Sequence, residues 1–476
     1  MKLRKWQSNC LDQILFKYSQ SHQHFLCLAT PGAGKTTMAA EVAFKLLDDK
    51  LIDFVLCFSP SVIISKDIRT TLEERIGKRF DGGLGAIGGS YTYQGMQTLN
   101  SDIWELLKSN RVFVIFDEIH HCSGSNPNDA NSWGEGIIRH IQGYAEYTLA
   151  LTGTPWRSDN APIALSEYKK PDNSILCDYI YGLSDAIQDN VCRIPKIVVT
   201  DNNDITIKES GKEIQTFTSF SQLLENTSCS YQMIVENEVV IRHILTAANY
   251  KLATIRNENP SAGGLVVASS VEHANSILNI LRYELNVPAA IATYKENEPT
   301  TIIKDYKNSS IPWIVSVGMI SEGTNIPRLQ VCCHLTRIKT ELHFRQILGR
   351  ILRITNAKNQ EANLFMPAES KLIEYACRVA EDIPEEKLIV SFKSSDESIC
   401  INENENENDN EIYTITEKEE GNSKQFNVTD NFLTQFIEDT PELKQSSLLT
   451  TTYEATLNVF GQFQQEVLAV NISPFD

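Results

Sequence analysis

Short apolar runs alternate along this chain with stretches of helical spacing, and the alternation occurs twice. In the first stretch the runs are Phe25 to Thr30, Phe54 to Pro60, Val112 to Glu118 and Tyr147 to Pro155. In the second they are Gly263 to Ser270, Ala289 to Tyr294, Trp313 to Met319 and Val331 to Thr336, with another beginning at Ala362. Each is short, rich in β-branched residues and bounded by Gly, Pro or Asn, as strands buried on both faces are. Such strands separated by helices predict an α/β chain with two parallel sheets, each covered by helices. Thr200 to about Ser230 is polar and weakly periodic; helical spacing returns from Ile234 to Ile255. After Val390 the composition shifts, and Ile401 to Glu411 is acidic, repetitive and without core-forming residues. The last fifty residues regain apolar content and suggest a small helical element. The expected organisation is a first lobe over residues 1–200, a connector of hairpin and helix over 201–245 and a second lobe over 246–389. An acidic linker over 390–428 and a helical appendage over 429–476 follow.

A length of 476 residues fits two domains with appendages. The 42% hydrophobic and 22% charged content is that of a globular protein. No apolar run is long enough to span a bilayer, and the opening MKLRKWQSNC does not lead into a signal-peptide core, so a cytoplasmic location is expected. The eleven cysteines include no C-x-x-C pair and read as buried thiols. The net charge of −18 excludes a protein that coats nucleic acid through a global positive field. Asp396 to Gln425 holds ten acidic residues against two lysines, so part of that charge is local. Phosphate binding would need a confined groove.

Two motifs carry chemistry. Ala29-Thr30-Pro31-Gly32-Ala33-Gly34-Lys35-Thr36 directly follows a predicted strand and opens a helix through Thr37 and beyond. Such a loop aims backbone N–H groups and a helix N-terminus at phosphate oxygens. Lys35 would reach the β/γ-phosphates of ATP and Thr36 would hold Mg²⁺. Val112 to His121 is an apolar strand ending in two carboxylates. Asp117 would hold Mg²⁺ and Glu118 would polarise the attacking water. The contiguous His120-His121-Cys122 is poor geometry for a metal, and a coupling or structural role fits better.

Asp117-Glu118-Ile119-His120 reads as a DExH box, and the chain resembles the superfamily 2 helicases. Further motifs agree in order over Leu3 to Ile389. Leu3 to Gln7 is similar to the element in which Arg4 packs on adenine and Gln7 reads it. Ser59 to Asp67, with Ser61, and Tyr91 to Met96, with Thr92 and Gln94, resemble segments that contact a nucleic-acid strand. Gly263 to Asn275, with Ser269, resembles another. Leu151 to Arg157 resembles the motif whose Thr152 and Thr154 link hydrolysis to domain movement, a role shared with His120 and Gln346. Ser316 to Leu329 resembles the motif that supplies Gly323 and Asn325 to the nucleotide, although Asn325 stands where Asp is usual. Phe344 to Arg353 resembles the arginine-finger motif. There Gln346, Gly349, Arg350 and Arg353 fall at i, i+3, i+4 and i+7, on one face of a helix.

The resemblance implies two tandem RecA-like domains. ATP would lie between Lys35, Thr36, Asp117 and Glu118 on one side and Arg350 and Arg353 on the other. It implies a nucleic-acid-stimulated ATPase acting as a helicase or translocase, on DNA rather than RNA. The phrases Thr152 to Ile163 and Tyr181 to Ile197 resemble the branch of restriction-enzyme motor subunits and repair translocases. One rival is a duplex translocase that separates no strands. Another is a nucleotide-gated binding subunit of a defence or repair assembly, whose partner, such as a nuclease, docks on residues 429–476.

Overall fold

The computed structural model describes residues 2–127, 129–154, 157, 161–170, 174–209, 213–320, 324–381, 389–394 and 455–469. The first sheet is wholly parallel. Its strands lie in the order Gly88–Thr92, Phe54–Ser59, Val112–Asp117, Tyr147–Thr152, His24–Ala29 and Tyr179–Tyr181. Val112–Asp117 sits near the middle and is buried at every position, which explains its unbroken apolar sequence. Helices Lys5–Ser19, Lys35–Asp48 and Val62–Ile76 cover the sheet with apolar faces that include Ile14, Leu46 and Leu72.

The edge strand Gly88–Thr92 has no apolar run to announce it. A Cβ on Gly88 would lie 1.8 Å from the Val55 carbonyl oxygen, so the strand approaches its neighbour as only glycine permits.

Among the described residues the second sheet has eight strands: Ala289–Ala292, Trp313–Ser316, Gly263–Ala268, Leu329–Leu335, Glu361–Pro367, Ile194–Asn202, Phe463–Ala469 and Ile389–Ser394, in that order. The first six are parallel; the last two join antiparallel. Helices Glu238–Glu258 and Glu341–Ile351 pack on it. Two RecA-like parallel-sheet domains are therefore present, as the apolar runs and the resemblance implied.

The edges of the second lobe correct the sequence reading. Ile194–Asn202, cut by the expected boundary at residue 200, is an interior strand of the second sheet. It turns into Ile205–Glu209, which starts a small antiparallel sheet with Gln215–Phe217. Ile389–Ser394 is likewise a strand, in part of what was expected to be linker. The expected C-terminal helix is not one where it is described: Ala455–Val459 pairs with Ile205–Glu209, and Phe463–Ala469 lies between Ile194–Asn202 and Ile389–Ser394. Leu457, Phe460, Phe463 and Val467 do fall at helical spacing. Yet Phe460 stands 70% exposed in the turn, and Gly461 packs so closely on Asn203 and Asp204 that a Cβ would meet the Asp204 nitrogen at 2.4 Å. An unpaired strand edge outweighs a weak helical period because every backbone group along it gains a partner. Residues 395–454, most of the acidic linker and the start of the appendage, lie outside the described residues.

Ending the chain at residue 454 should therefore strip a strand from the second sheet and uncover Ile194–Asn202. A fall of roughly 10 °C in the unfolding midpoint is expected, at about 2–4 °C per kcal/mol for a lobe of this size. Thermal unfolding followed by circular dichroism measures it, and an unchanged midpoint would show that these strands contribute nothing to the sheet.

Candidate nucleotide site between the lobes

The loop after His24–Ala29 is shaped by Gly32 and Gly34, at φ +85° and +93°, a region that L side chains rarely adopt. Helix Lys35–Asp48 starts directly behind it. The Lys35 ammonium lies 3.1 Å from the Ala29 carbonyl oxygen and 3.2 Å from Glu118 Oε1. Thr36 and Asp117 both border a small, almost wholly apolar cavity lined by Ala39, Ala40, Ile68, Leu72, Ile115 and Leu151, between the sheet and helices Lys35–Asp48 and Val62–Ile76. By chemical type, a hydroxyl and a carboxylate are hard oxygen donors of the kind Mg²⁺ takes. Asp117 is only 7% exposed, and its backbone carbonyl accepts a 2.8 Å hydrogen bond from the Tyr93 hydroxyl.

The N-terminal helix braces the loop from outside. Arg4 Nη1 donates to the Ala33 carbonyl at 2.7 Å, and Gln7 Nε2 donates to Gly34 at 2.9 Å. Gln7 Oε1 in turn accepts from the Arg4 backbone N–H at 2.8 Å. Trp6, quoted in the sequence motif without a role, donates its indole N–H to Ala33 at 3.2 Å and stacks on Tyr181 at 4.7 Å. Arg4 and Gln7 are thus tied to the Pro31 to Gly34 loop itself.

Glu118 occupies a left-handed backbone conformation, φ 52° and ψ 53°, which for this residue type is strained. Its Oε2 accepts from the Gly153 N–H at 3.1 Å. Next to it, His120 Nδ1 is 2.9 Å from Thr152 Oγ1. The Thr152 hydroxyl donates to the Thr154 carbonyl at 2.7 Å and accepts from the Thr154 N–H at 3.1 Å. His120 Nδ1 also lies 3.5 Å from Glu118 Oε2 and 3.5 Å from Thr154 Oγ1, so the imidazole joins the carboxylate to both threonines. Arg157 Nη1 donates to the His120 carbonyl at 2.5 Å. The carboxylate strand end and the next strand are thereby locked together, as residues that couple hydrolysis to movement would have to be.

The second lobe reaches this loop directly. A Cβ on Gly349 would meet the Pro31 Cβ at 2.7 Å, and one on Gly32 would meet the Arg353 Cγ at 3.2 Å. Arg350 is 8% exposed and donates to the Thr324 carbonyl at 2.9 Å. Arg353 donates to the same carbonyl at 2.8 Å and to Asn325 Oδ1 at 2.7 Å. Asn325 thus keeps an arginine contact although it carries no charge. Burial, and then the neighbouring Arg350, push the Arg353 guanidinium down to about 9, still cationic at neutral pH.

One expectation is corrected here. Gln346, Gly349 and Arg350 lie on helix Glu341–Ile351, but Arg353 does not continue its face. The helix stops first, and Arg353 forms a β-bridge with Cys192 in the chain crossing between the lobes. Gly323 lies outside the described residues.

The residues expected to touch nucleic acid are less free than their motifs suggest. The Ser61 and Thr92 hydroxyls cap helices, accepting from the Ile64 and Gly95 N–H groups. Ser269 donates to Glu236 at 2.6 Å and lies 2.8 Å from His273 Nδ1. Gln94 is exposed. Ser61, Thr92 and Ser269 all follow or end parallel strands at the carboxyl edges of the two sheets. Among the described residues, no helix is long and apolar enough to cross a membrane.

Comparison with known proteins bears on the family and the fold. Residues 1–157 match the family model of the type III restriction enzyme res subunit, and residues 246–355 match that of the helicase conserved C-terminal domain. An uncharacterized protein of Mycobacterium tuberculosis is 29% identical over 398 residues, covering 79% of this chain; the chain spans 62% of that relative's length. The DNA 3'-5' translocase XPB2 of Sulfurisphaera tokodaii is 25% identical over 392 residues, 77% of this chain and 81% of the translocase. Among solved structures, a fragment of a putative HsdR subunit of a type I restriction enzyme from Vibrio vulnificus superposes with a TM-score of 0.54 at 15% identity. That match covers 78% of this chain and 65% of the fragment, a likeness of fold alone.

Proposed function

The chain belongs to superfamily 2 of the helicases, related to the motor subunits of restriction enzymes, and from that membership we propose that it couples ATP hydrolysis to movement along DNA. The observation that carries the reading is the contact of Gly349 and Arg353 with Pro31 and Gly32. It sets the segment bearing Arg350 and Arg353 against the loop that would hold the triphosphate, with both side chains bonded to the Thr324 carbonyl. Lys35 neutralises phosphate charge from below, while Arg350 and Arg353 approach from the opposite lobe, where transition-state charge develops. Glu118 orients the attacking water and takes up its proton. Bound Mg²⁺, held by Thr36 and Asp117, would add charge neutralisation at the phosphates. The linked His120, Thr152 and Thr154 turn a change at Glu118 into a shift between adjacent strands. Arg4 and Gln7 carry nucleotide occupancy to the N-terminal helix. With a net charge of −18, strand contact belongs to a local track over the two carboxyl edges, near Ser61, Thr92, Gln94 and Ser269.

Relatedness to restriction motors and to a DNA translocase supports DNA as the substrate and translocation with little unwinding. The rival reading, a gated subunit whose tail docks a nuclease, loses part of its docking element, because Ala455–Val459 and Phe463–Ala469 belong to the second lobe's sheets. The test is ATP hydrolysis with single-stranded DNA, duplex DNA, forks and RNA at matched salt, since binding to each depends on salt. Stimulation by DNA above RNA is expected, with triplex displacement exceeding fork unwinding. Hydrolysis that no nucleic acid stimulates would refute the motor.

A further inference from the structure

Arg193 is 1% exposed and lies where the chain passes from the first lobe into the second. Its partners are all neutral. Nη1 donates to the carbonyls of Leu329 at 2.5 Å and Ile351 at 3.0 Å. Nη2 donates to the Pro327 carbonyl at 3.1 Å and Thr355 Oγ1 at 3.5 Å, and Nε to Gln360 Oε1 at 3.2 Å. Its backbone N–H donates to the Leu352 carbonyl at 2.7 Å. Burying a cation without a counter-charge is costly, and packing alone would be better served by an apolar side chain. Burial lowers its ionisation to about 10, so it remains charged at neutral pH.

What the guanidinium ties together explains its presence. Ile351 ends the arginine helix, whose carbonyl terminus favours a cation. Pro327 and Leu329 lead away from Asn325. One residue earlier, Cys192 bridges to Arg353, and its Sγ lies 3.6 Å from the Pro31 carbonyl oxygen. The crossing chain therefore touches the phosphate loop on one side and Arg353 on the other. We propose that Arg193 is a positioning residue: it fastens the inter-lobe crossing to the segments bearing Asn325, Arg350 and Arg353, so that lobe movement carries the arginine pair onto the phosphate loop as one piece. This rests on the ATPase reading given above.

The test compares Arg193→Gln and Arg193→Lys with the full-length wild type. The Lys variant keeps the charge at the helix end but cannot span the separate carbonyls. Equilibrium binding of a fluorescent ATP analogue should change by less than about threefold, while kcat falls by about 10²-fold, the scale of a displaced catalytic group. Millimolar guanidinium should restore part of the Gln variant's turnover. Arg256→Gln serves as the destabilised control, since Arg256 donates to the Ala262 and Ser310 carbonyls, away from the crossing. Wild-type kcat in the folded Lys variant would overturn the proposal. So would an equal loss of kcat in Arg256→Gln at matched melting temperature. If the wild type itself fails to hydrolyse ATP with any nucleic acid, the motor reading falls separately. Arg193 is then judged by X-ray scattering with a non-hydrolysable analogue: closure lost in the variant supports the role, and closure retained refutes it.

Discussion

Lys35→Ala should reduce ATP turnover by at least about 10²–10³-fold, the cost of removing one preorganised charge-stabilising donor. The ammonium stands between the Ala29 carbonyl and Glu118, at 3.1 and 3.2 Å. Its loss acts twice: the phosphates lose their nearest cation from the first lobe, and Glu118 loses the partner that holds it toward the loop. Glu118 sits in strained backbone geometry, and Lys35, the Gly153 N–H and His120 are among the groups that hold its carboxylate. Nucleotide affinity should fall with turnover, because Lys35 serves the bound substrate as well as the transition state. Steady-state hydrolysis with DNA, alongside a thermal melt to establish folding, measures both. A folded variant with undiminished DNA-stimulated hydrolysis would remove Lys35 from the site.

Arg350→Ala should behave differently. Turnover at saturating ATP is expected to fall by about 10³–10⁵-fold, the range for an arginine that meets transition-state charge. Nucleotide affinity should change much less. The reason is location: Arg350 is buried beside Thr324 in the second lobe, whereas the loop and Lys35 belong to the first. Ground-state binding can rest on the first lobe alone; the transition state needs both. Separate measurement of kcat and equilibrium binding decides the matter. A parallel loss of affinity with little change in saturated turnover would make Arg350 a binding residue. Arg353, bonded to Thr324 and Asn325, should show a similar but smaller effect if Arg350 is the closer finger.

The shape of the loop proposed to hold the nucleotide was legible in the sequence because its geometry is local. A strand, two glycines, a lysine and a threonine are contiguous, and backbone geometry alone aims them at one point. Asp117 and Glu118 end an apolar strand, so their place at the sheet's carboxyl edge follows from the run before them. Arg353 was legible as a type of residue but not in its placement. Continuing the helical face assumes that the helix continues, whereas the bridge to Cys192 ends it. Ser61, Thr92 and Ser269 were named by motif, but motifs do not reveal that their hydroxyls serve helix caps or a carboxylate.

By itself the sequence determined two parallel-sheet lobes, the order of their strands along the chain and the lysine-bearing loop. Each of these depends on the spacing of neighbours a few residues apart. Only the tertiary structure decided that residues 455–469 complete the small sheet and the second lobe's main sheet, and that Gly88–Thr92 is an edge strand. The same holds for Arg193, held by carbonyls more than a hundred residues away. Strand pairing and the burial of a charge depend on which distant backbone groups lack partners, and those partners exist only once the chain has folded.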